Sequence, residues 1–333
     1  MPGLATLFKT LSQKPDGRNH SLVSLFGADT LVDKTHKPLL DRQSITDLRN
    51  RALCLLNSRS GNKTVLQRQH GDNLSPTRGA GLDYEESRVY VPGDDMRYIN
   101  WRLTARSNET YVKVFREEHQ PSAFILLDQR HSMRFGTQVR LKVTQGLRVA
   151  VLLAFYQHYR GLIITGAKLD DDMHWLDSAT DERDVLAFIE IINQPCPPQP
   201  AHWPPVSLAH SLRALQSVLS TGTKVYLISD FIDIADQCQA MLTELAAQHD
   251  VTAIHIVDPG EIELPVAGLL SMTDTVAAHA REIDTADTRT ASHYHTLAQQ
   301  HLLQCETLLH SAGVSYNRLL TTSDAIETDV MLA

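Results

Sequence analysis

Residue 122 marks a change of rhythm along the chain. Beyond it, short unbroken apolar runs alternate with longer stretches in which apolar residues recur every three or four positions, the pattern of strands covered on both faces by amphipathic helices. The runs predict strands at Ala123–Leu127, closing on Asp128, at Gly161–Gly166, and briefly at Met173–Leu176. Further strands are predicted at Lys224–Ser229, followed by Asp230, at Val251–Val257, followed by Asp258, and at Tyr316–Leu320. Helices are predicted over 139–159, 182–193, 207–220, 236–248 and 290–312, with the proline-rich linker QPCPPQPAHWPP before the third. Such alternation implies an α/β fold with a doubly wound, mostly parallel sheet.

The first part of the chain is patterned differently. Residues 1–37 hold no sustained period and read as a loosely ordered arm. Between Ser44 and Asn57, Ile45, Leu48, Ala52, Leu55 and Leu56 recur at helical spacing, with Asp41 or Ser44 placed to cap the start. From Ser58 to about Glu118, short alternating runs are broken by Gly, Pro and Asp, as β-strands with tight turns would be. The expected division is therefore an arm (1–37), a helix with a smaller N-terminal β-rich subdomain (38–121), and an α/β domain (122–333). Within the β-rich part lies YVPGDDMRYINWRLTAR, where Asp94, Asp95, Arg97, Arg102 and Arg106 surround Trp101, with Arg88 just ahead of the string. Two readings stand: an ion-pair network closed over the indole, or a recognition surface of the Arg and Trp type found at interface hot spots.

Composition narrows the classes. With 333 residues, 42% hydrophobic and 21% charged, the chain can bury a large core, and dominant disorder is excluded. No apolar stretch reaches the ~18–20 residues a bilayer span needs, and the N-terminus lacks the basic, apolar and small-residue order of a secretory signal. A cytoplasmic location is the expectation. The net charge of −8 is unevenly spread: residues 1–122 carry 18 Lys and Arg against 14 Asp and Glu, and residues 123–333 carry 13 against 25. An acidic larger part speaks against a nucleic-acid partner, and the basic excess before it is too dispersed for a phosphate footprint. Cys54, Cys196, Cys238 and Cys305 form no C-x-x-C pair and are expected as buried thiols.

Candidate chemistry gathers where the strands end, because ligands of open α/β sheets bind beyond the carboxyl ends of the strands. Asp128, Asp230 and Asp258 are expected there. Asp128 and Ser132 are four residues apart in one loop, Ser207 opens a helix, and Ser229 precedes Asp230. Carboxylate and hydroxyl oxygens in that number suit a magnesium ion, which keeps several waters. The same aspartates would serve a magnesium-dependent hydrolase, the alternative from a different functional class. No G-x-x-x-x-G-K-[ST] loop and no G-x-S-x-G elbow occurs in the sequence.

Asp128-x-x-x-Ser132-Met133 in this setting resembles the von Willebrand factor A-like, Rossmann-like fold and its metal-ion-dependent adhesion site, whose first loop reads D-x-S-x-S, with a Thr and an Asp from later loops. GLDYEESRVYVPGDDMRYINWRLTARSNETYVKVFREE, LLDQRHSMRFGT, LISDF and HDVTAIHIVDPGEIELP further resemble the bacterial domain-of-unknown-function 58 family, from about residue 40 to the end. The resemblance implies a non-enzymatic protein-binding module, an adaptor or co-factor of a MoxR-type AAA+ ATPase in chaperone-like or stress functions. It also implies a candidate metal site of Asp128, Ser132, Ser207 and Asp230. That site departs from the pattern at Arg130, which stands where the first serine belongs. A guanidinium has no lone pair to offer a cation, so Arg130 would modify the site by pairing with the acids instead.

Overall fold

The computed structural model describes residues 37–61, 82–107, 109–117, 120–197, 206–273 and 280–326. The expected arm, residues 1–36, and part of the proline-rich linker lie outside them. The described residues form two compact units, one on either side of a division at residues 60/61 and 120/121, with the stretch before 61 and the stretch after 120 together in the larger unit.

The larger unit begins with α1 (Arg42–Gly61), capped by the Asp41 carboxylate, which accepts from Ser44 N at 2.7 Å. In the smaller unit β1 (Leu82–Val89) pairs antiparallel with β2 (Tyr111–Glu117). Between them a 3₁₀ turn, Met96–Tyr98, is capped by Asp95, and the single helical turn α2 (Trp101–Thr104) is capped by Asn100. The larger unit resumes with β3 (Ser122–Asp128), α3 (Lys142–Tyr159), β4 (Ile163–Leu169), β5 (Met173–Ala179), α4 (Glu182–Ile192), α5 (Leu208–Val218), β6 (Lys224–Ser229), α6 (Asp236–Gln248) and β7 (Asp250–Val257). It closes with the short α7 (Pro259–Ile262), the antiparallel hairpin β8 (Leu269–Thr273) and β9 (Ala280–Asp284), α8 (Thr288–Ser311) and β10 (Ser315–Leu320).

Six strands form one sheet in the order β10-β7-β6-β3-β4-β5, parallel throughout except for β5. Counted along the chain within the sheet, this is the doubly wound order 3-2-1-4-5-6, and the direction of winding reverses between β3 and β6. Alternate residues of β3 feed two separate cores. Ala123, Ile125 and Leu127 join Leu147, Val151 and Ile189 of α3 and α4 on one face. Phe124 and Leu126 join Leu212, Leu242 and Leu309 of α5, α6 and α8 on the other. α3 lies close over the sheet because Gly146 faces it: a Cβ there would come within 3.2 Å of Ile228 and 3.3 Å of Leu127.

The helix expected with the β-rich subdomain belongs to the α/β unit instead. Leu48 and Ala52 of α1 are buried in the α3 core, Arg49 Nε donates to Tyr159 OH at 2.9 Å and pairs with Glu182 at 2.5 Å, and Leu40 exchanges two hydrogen bonds with the Asn193 amide. Periodicity shows that a helix buries a face; it does not say against what.

The chain past β10 is tied down as well. Thr321 Oγ1 donates to Asp258 at 2.8 Å. Arg140 donates to the carbonyls of Thr321 and Ser323 and pairs with Asp324 at 2.6 Å, and the Ile326 side chain is fully buried.

Candidate functional site

Asp128 ends β3, and Ser229 with Asp230 ends the neighbouring β6, so the three meet at the reversal point of the sheet. Ser229 Oγ donates to Asp128 Oδ2 at 2.6 Å across that junction. Phe231, next in line, adopts φ 49°. A left-handed backbone at a non-glycine residue costs about 1–2 kcal/mol, offset here by complete burial of the Phe231 ring in the α5–α6–α8 core. The turn fixes the direction in which Asp230 leaves the strand.

Arg130 fills the space in front of Asp128. Its Nε donates to Oδ1 and Oδ2 of Asp128 at 3.0 and 3.1 Å, and its Nη2 to Oδ2 at 2.7 Å, while its backbone N–H donates to Oδ1 at 2.9 Å. On its other side the guanidinium donates to both oxygens of Asp233, at 2.7 and 3.0 Å, and to the Val206 carbonyl at 2.9 Å. Asp233 in turn accepts from Leu208 N, at the start of α5. Burial works against the charge on Arg130, but Asp128 and Asp233 outweigh it and hold its pKa well above the ordinary value.

Asp230 has a cation of its own. Lys142, the first residue of α3 and fully buried, places Nζ 2.8 Å from Asp230 Oδ2 and 2.5 Å from Glu261 Oε1. For Asp230, burial would raise the pKa, yet the charges of Lys142 and Arg130, with hydrogen bonds from Lys142 and Ser132, bring it down to about 2. For Lys142, burial is outweighed by the two carboxylates and the pKa is raised. Glu261 moves the other way, raised first by burial and then by the neighbouring Asp230.

The third strand-end acid has a different role. Asp258 accepts from Thr137 N at 3.0 Å and Thr137 Oγ1, from Gly260 N at 2.9 Å and from Thr321 Oγ1. It is a fully buried tie between the loops after β3, β7 and β10. Ser207, expected to offer a ligand hydroxyl, caps α5 through His210 N, and its loop reaches the site by the Val206 carbonyl and the Leu208 N–H instead.

Thus Asp128 and Arg130 pair with each other, Ser132 bonds to Asp230, and Lys142, Asp233 and Glu261, which local pattern did not reveal, join them at the candidate site. Behind Asp230 is a cavity of about 30 Å³, lined by Asp230, Glu261, His255, His301 and apolar side chains. That is room for a water molecule or two. Burial pushes His255 down to about 3 and Cys305, beside His301, up to about 12, so neither a charged imidazole nor a thiolate is available there. Cys196 and Cys238 are buried as expected, whereas Cys54 is exposed on α1.

The cluster around Trp101 lies in the smaller unit. Arg88 pairs with Asp94 at 2.6 Å and Arg97 with Asp95 at 2.6 Å. Neither pair closes over the indole: Trp101 is 68% exposed, and Met96 and Val91, five and ten residues before it, are 66% and 55% exposed. Arg106 is exposed beyond α2.

The motifs shared with other proteins run through both units. Residues 86–304 match the family described as "Protein of unknown function DUF58". The chain belongs to that family. This DUF58 chain is 28% identical over 218 residues to the uncharacterized proteins Rv1480 of Mycobacterium tuberculosis and Mb1516 of Mycobacterium bovis, covering 64% of its own length and 67% of theirs. Among solved structures it is similar to BatB from Bacteroides thetaiotaomicron, with a TM-score of 0.42 and 12% identity over 62% of this chain and 94% of that one. A second is an aerotolerance-related membrane protein from Bacteroides fragilis, with a TM-score of 0.36 and 13% identity over 63% and 96%. Superpositions that loose support no argument about the DUF58 chain. No described helix is long and apolar enough to cross a membrane.

The metal-ion-dependent pattern can be tested on these residues. Both oxygens of Asp128 already accept from Arg130, and Oδ2 also from Ser229. Asp230 faces the Lys142 ammonium. A magnesium ion needs lone pairs directed at it, and those of Asp128 and of Asp230 Oδ2 are already directed at side-chain cations.

Proposed function

We propose that this DUF58 chain is a non-enzymatic protein-binding module of the von Willebrand factor A type, working in the cytoplasm as an adaptor of a MoxR-type AAA+ ATPase. The observation that carries the binding reading is the exposure of Trp101, Met96 and Val91 within eleven residues of sequence, bordered by the Arg88–Asp94 and Arg97–Asp95 pairs. A large aromatic and a flexible apolar side chain exposed in a segment that also carries arginines is the composition of an interface hot spot. The doubly wound strand order supports the A-type assignment, and the β-rich segment 61–120 serves in it as the recognition subdomain.

A hydrolase reading finds less support. Both carboxylates it requires, Asp128 and Asp230, are neutralised by side-chain cations, and burial holds the nearby His255 uncharged.

The test is capture of a purified MoxR-type ATPase by the immobilised chain. Binding is expected, with Trp101→Ala weakening it at least tenfold and Arg106→Ala weakening it less. An ATPase that is not captured, or is captured equally by Trp101→Ala and Met96→Ala, would remove this surface and this partner from the mechanism.

A further inference from the structure

The reversal point of a doubly wound sheet is where such folds place their ligands, and here it holds two side-chain cations among four carboxylates. Arg130 directs all five of its N–H bonds at oxygens: Nε at Asp128, Nη1 at Val206 O and Asp233, Nη2 at Asp128 and Asp233. It is 6% exposed. Lys142 is 1% exposed and bridges Asp230 to Glu261. Between them the two residues join the loops after β3, β6 and β7 and the starts of α3 and α5.

We propose that Arg130 and Lys142 are resident cations that take the place of a divalent ion at this edge, so that its loops are assembled, and present their surface, without magnesium or manganese. Geometry carries the assignment. A divalent ion holding carboxylates and hydroxyls from separate loops does so through their lone pairs; a guanidinium holds the same groups through a planar fork of donors, and does so bidentately for each carboxylate. Arg130 has just this arrangement, with Asp128 on one side of the fork and Asp233 on the other. Removing the arginine side chain would release Asp128 from the three hydrogen bonds of the guanidinium and leave only the residue-130 backbone N–H and the Ser229 hydroxyl on its oxygens. The proposal is independent of which protein the chain meets, and its test involves no partner.

Calorimetric titration of the full chain with Mg²⁺ and with Mn²⁺ decides it. No saturable uptake is expected in the wild type, or uptake that Asp128→Asn and Ser132→Ala leave unchanged, since such an ion sits elsewhere. Ser132→Ala keeps both ion pairs, so the comparison remains readable if Asp128→Asn does not fold. One ion bound per wild-type chain, weakened tenfold or more by either substitution, would overturn the proposal. Arg130→Ser sets hydroxyls two and four residues after Asp128 and is expected to gain Mn²⁺ affinity at least tenfold above wild type. A folded Arg130→Ser chain as indifferent to Mn²⁺ as the wild type would overturn the assignment of Arg130 to the ion's place.

Discussion

Arg130 Nη2 lies 2.7 Å from Asp128 Oδ2, and both side chains are almost completely withdrawn from water. Two charges so placed depend on each other: without Asp128 the buried guanidinium is answered only by the partly exposed Asp233, and breaking a buried pair typically costs 3–5 kcal/mol. Asp128→Ala is therefore expected to lower unfolding free energy by about that amount. Asp233→Ala should cost less, because its side chain is 31% exposed and Asp128 still answers the guanidinium. Urea unfolding of the two variants checks the order, and a loss below about 1 kcal/mol for Asp128→Ala would contradict it.

Lys142→Met tests the second pair through its pH dependence. The folded-state pKa of Asp230 is depressed from 3.8 to about 2, so its contribution is fully present above about pH 4 and is lost as pH falls towards 2. Without the ammonium, Asp230 is a buried acid that gains from protonation. The stability gap between wild type and Lys142→Met should thus be wide at pH 7 and narrow by pH 3. A gap that is constant over that range would show that Asp230 does not depend on Lys142.

His255 should impose a slope in a different window. Burial lowers its pKa from 6.5 to about 3, against the pull of Asp230, so below pH 6.5 the unfolded chain takes up a proton that the folded chain refuses. Stability then falls with falling pH, by up to about 1.4 kcal/mol per unit for one group. His255→Phe, which retains an aromatic ring against Phe231, should flatten the slope between pH 6 and 4.5. An unchanged slope in chemical unfolding would mean that His255 is not refused its proton.

Trp101→Ala should separate binding from folding. With two thirds of the side chain already in solvent, its loss is expected to change stability by no more than about 0.5 kcal/mol, even where partner capture falls tenfold. A drop of several kcal/mol in thermal or urea unfolding would instead make Trp101 a structural residue.

Much of the α/β unit was legible because its strands are unbroken apolar runs. β6 and α6 fall on their expected residues, and Asp128, Asp230 and Asp258 all lie at one edge as expected. The hairpin β8–β9 was missed, since LLSMT and AREID show neither alternation nor an unbroken apolar run. At the site, Asp128, Arg130 and Ser132 share one loop and could be read locally. The partners that decide their chemistry are 103 residues away for Asp233 and 88 residues apart for Lys142 and Asp230, and only the strand order brings them together. Ser207 misled for a related reason: a hydroxyl at a helix start can serve a ligand or its own helix, and local sequence does not choose.

The anchoring of the chain beyond β10 bears on where this domain can be cut. The family match spans residues 86–304, shorter than the stretch from about residue 40 to the end that the motifs suggested, and it stops inside α8. A fragment ended there would lose the edge strand β10 and, with it, the Thr321 hydroxyl that Asp258 accepts from and the Ile326 side chain sunk in the α3 core. It would expose β7 as an unpaired edge, open to strand-to-strand association between copies. The working boundary of the folded unit is at or after residue 326, some twenty residues past the point that sequence similarity would suggest.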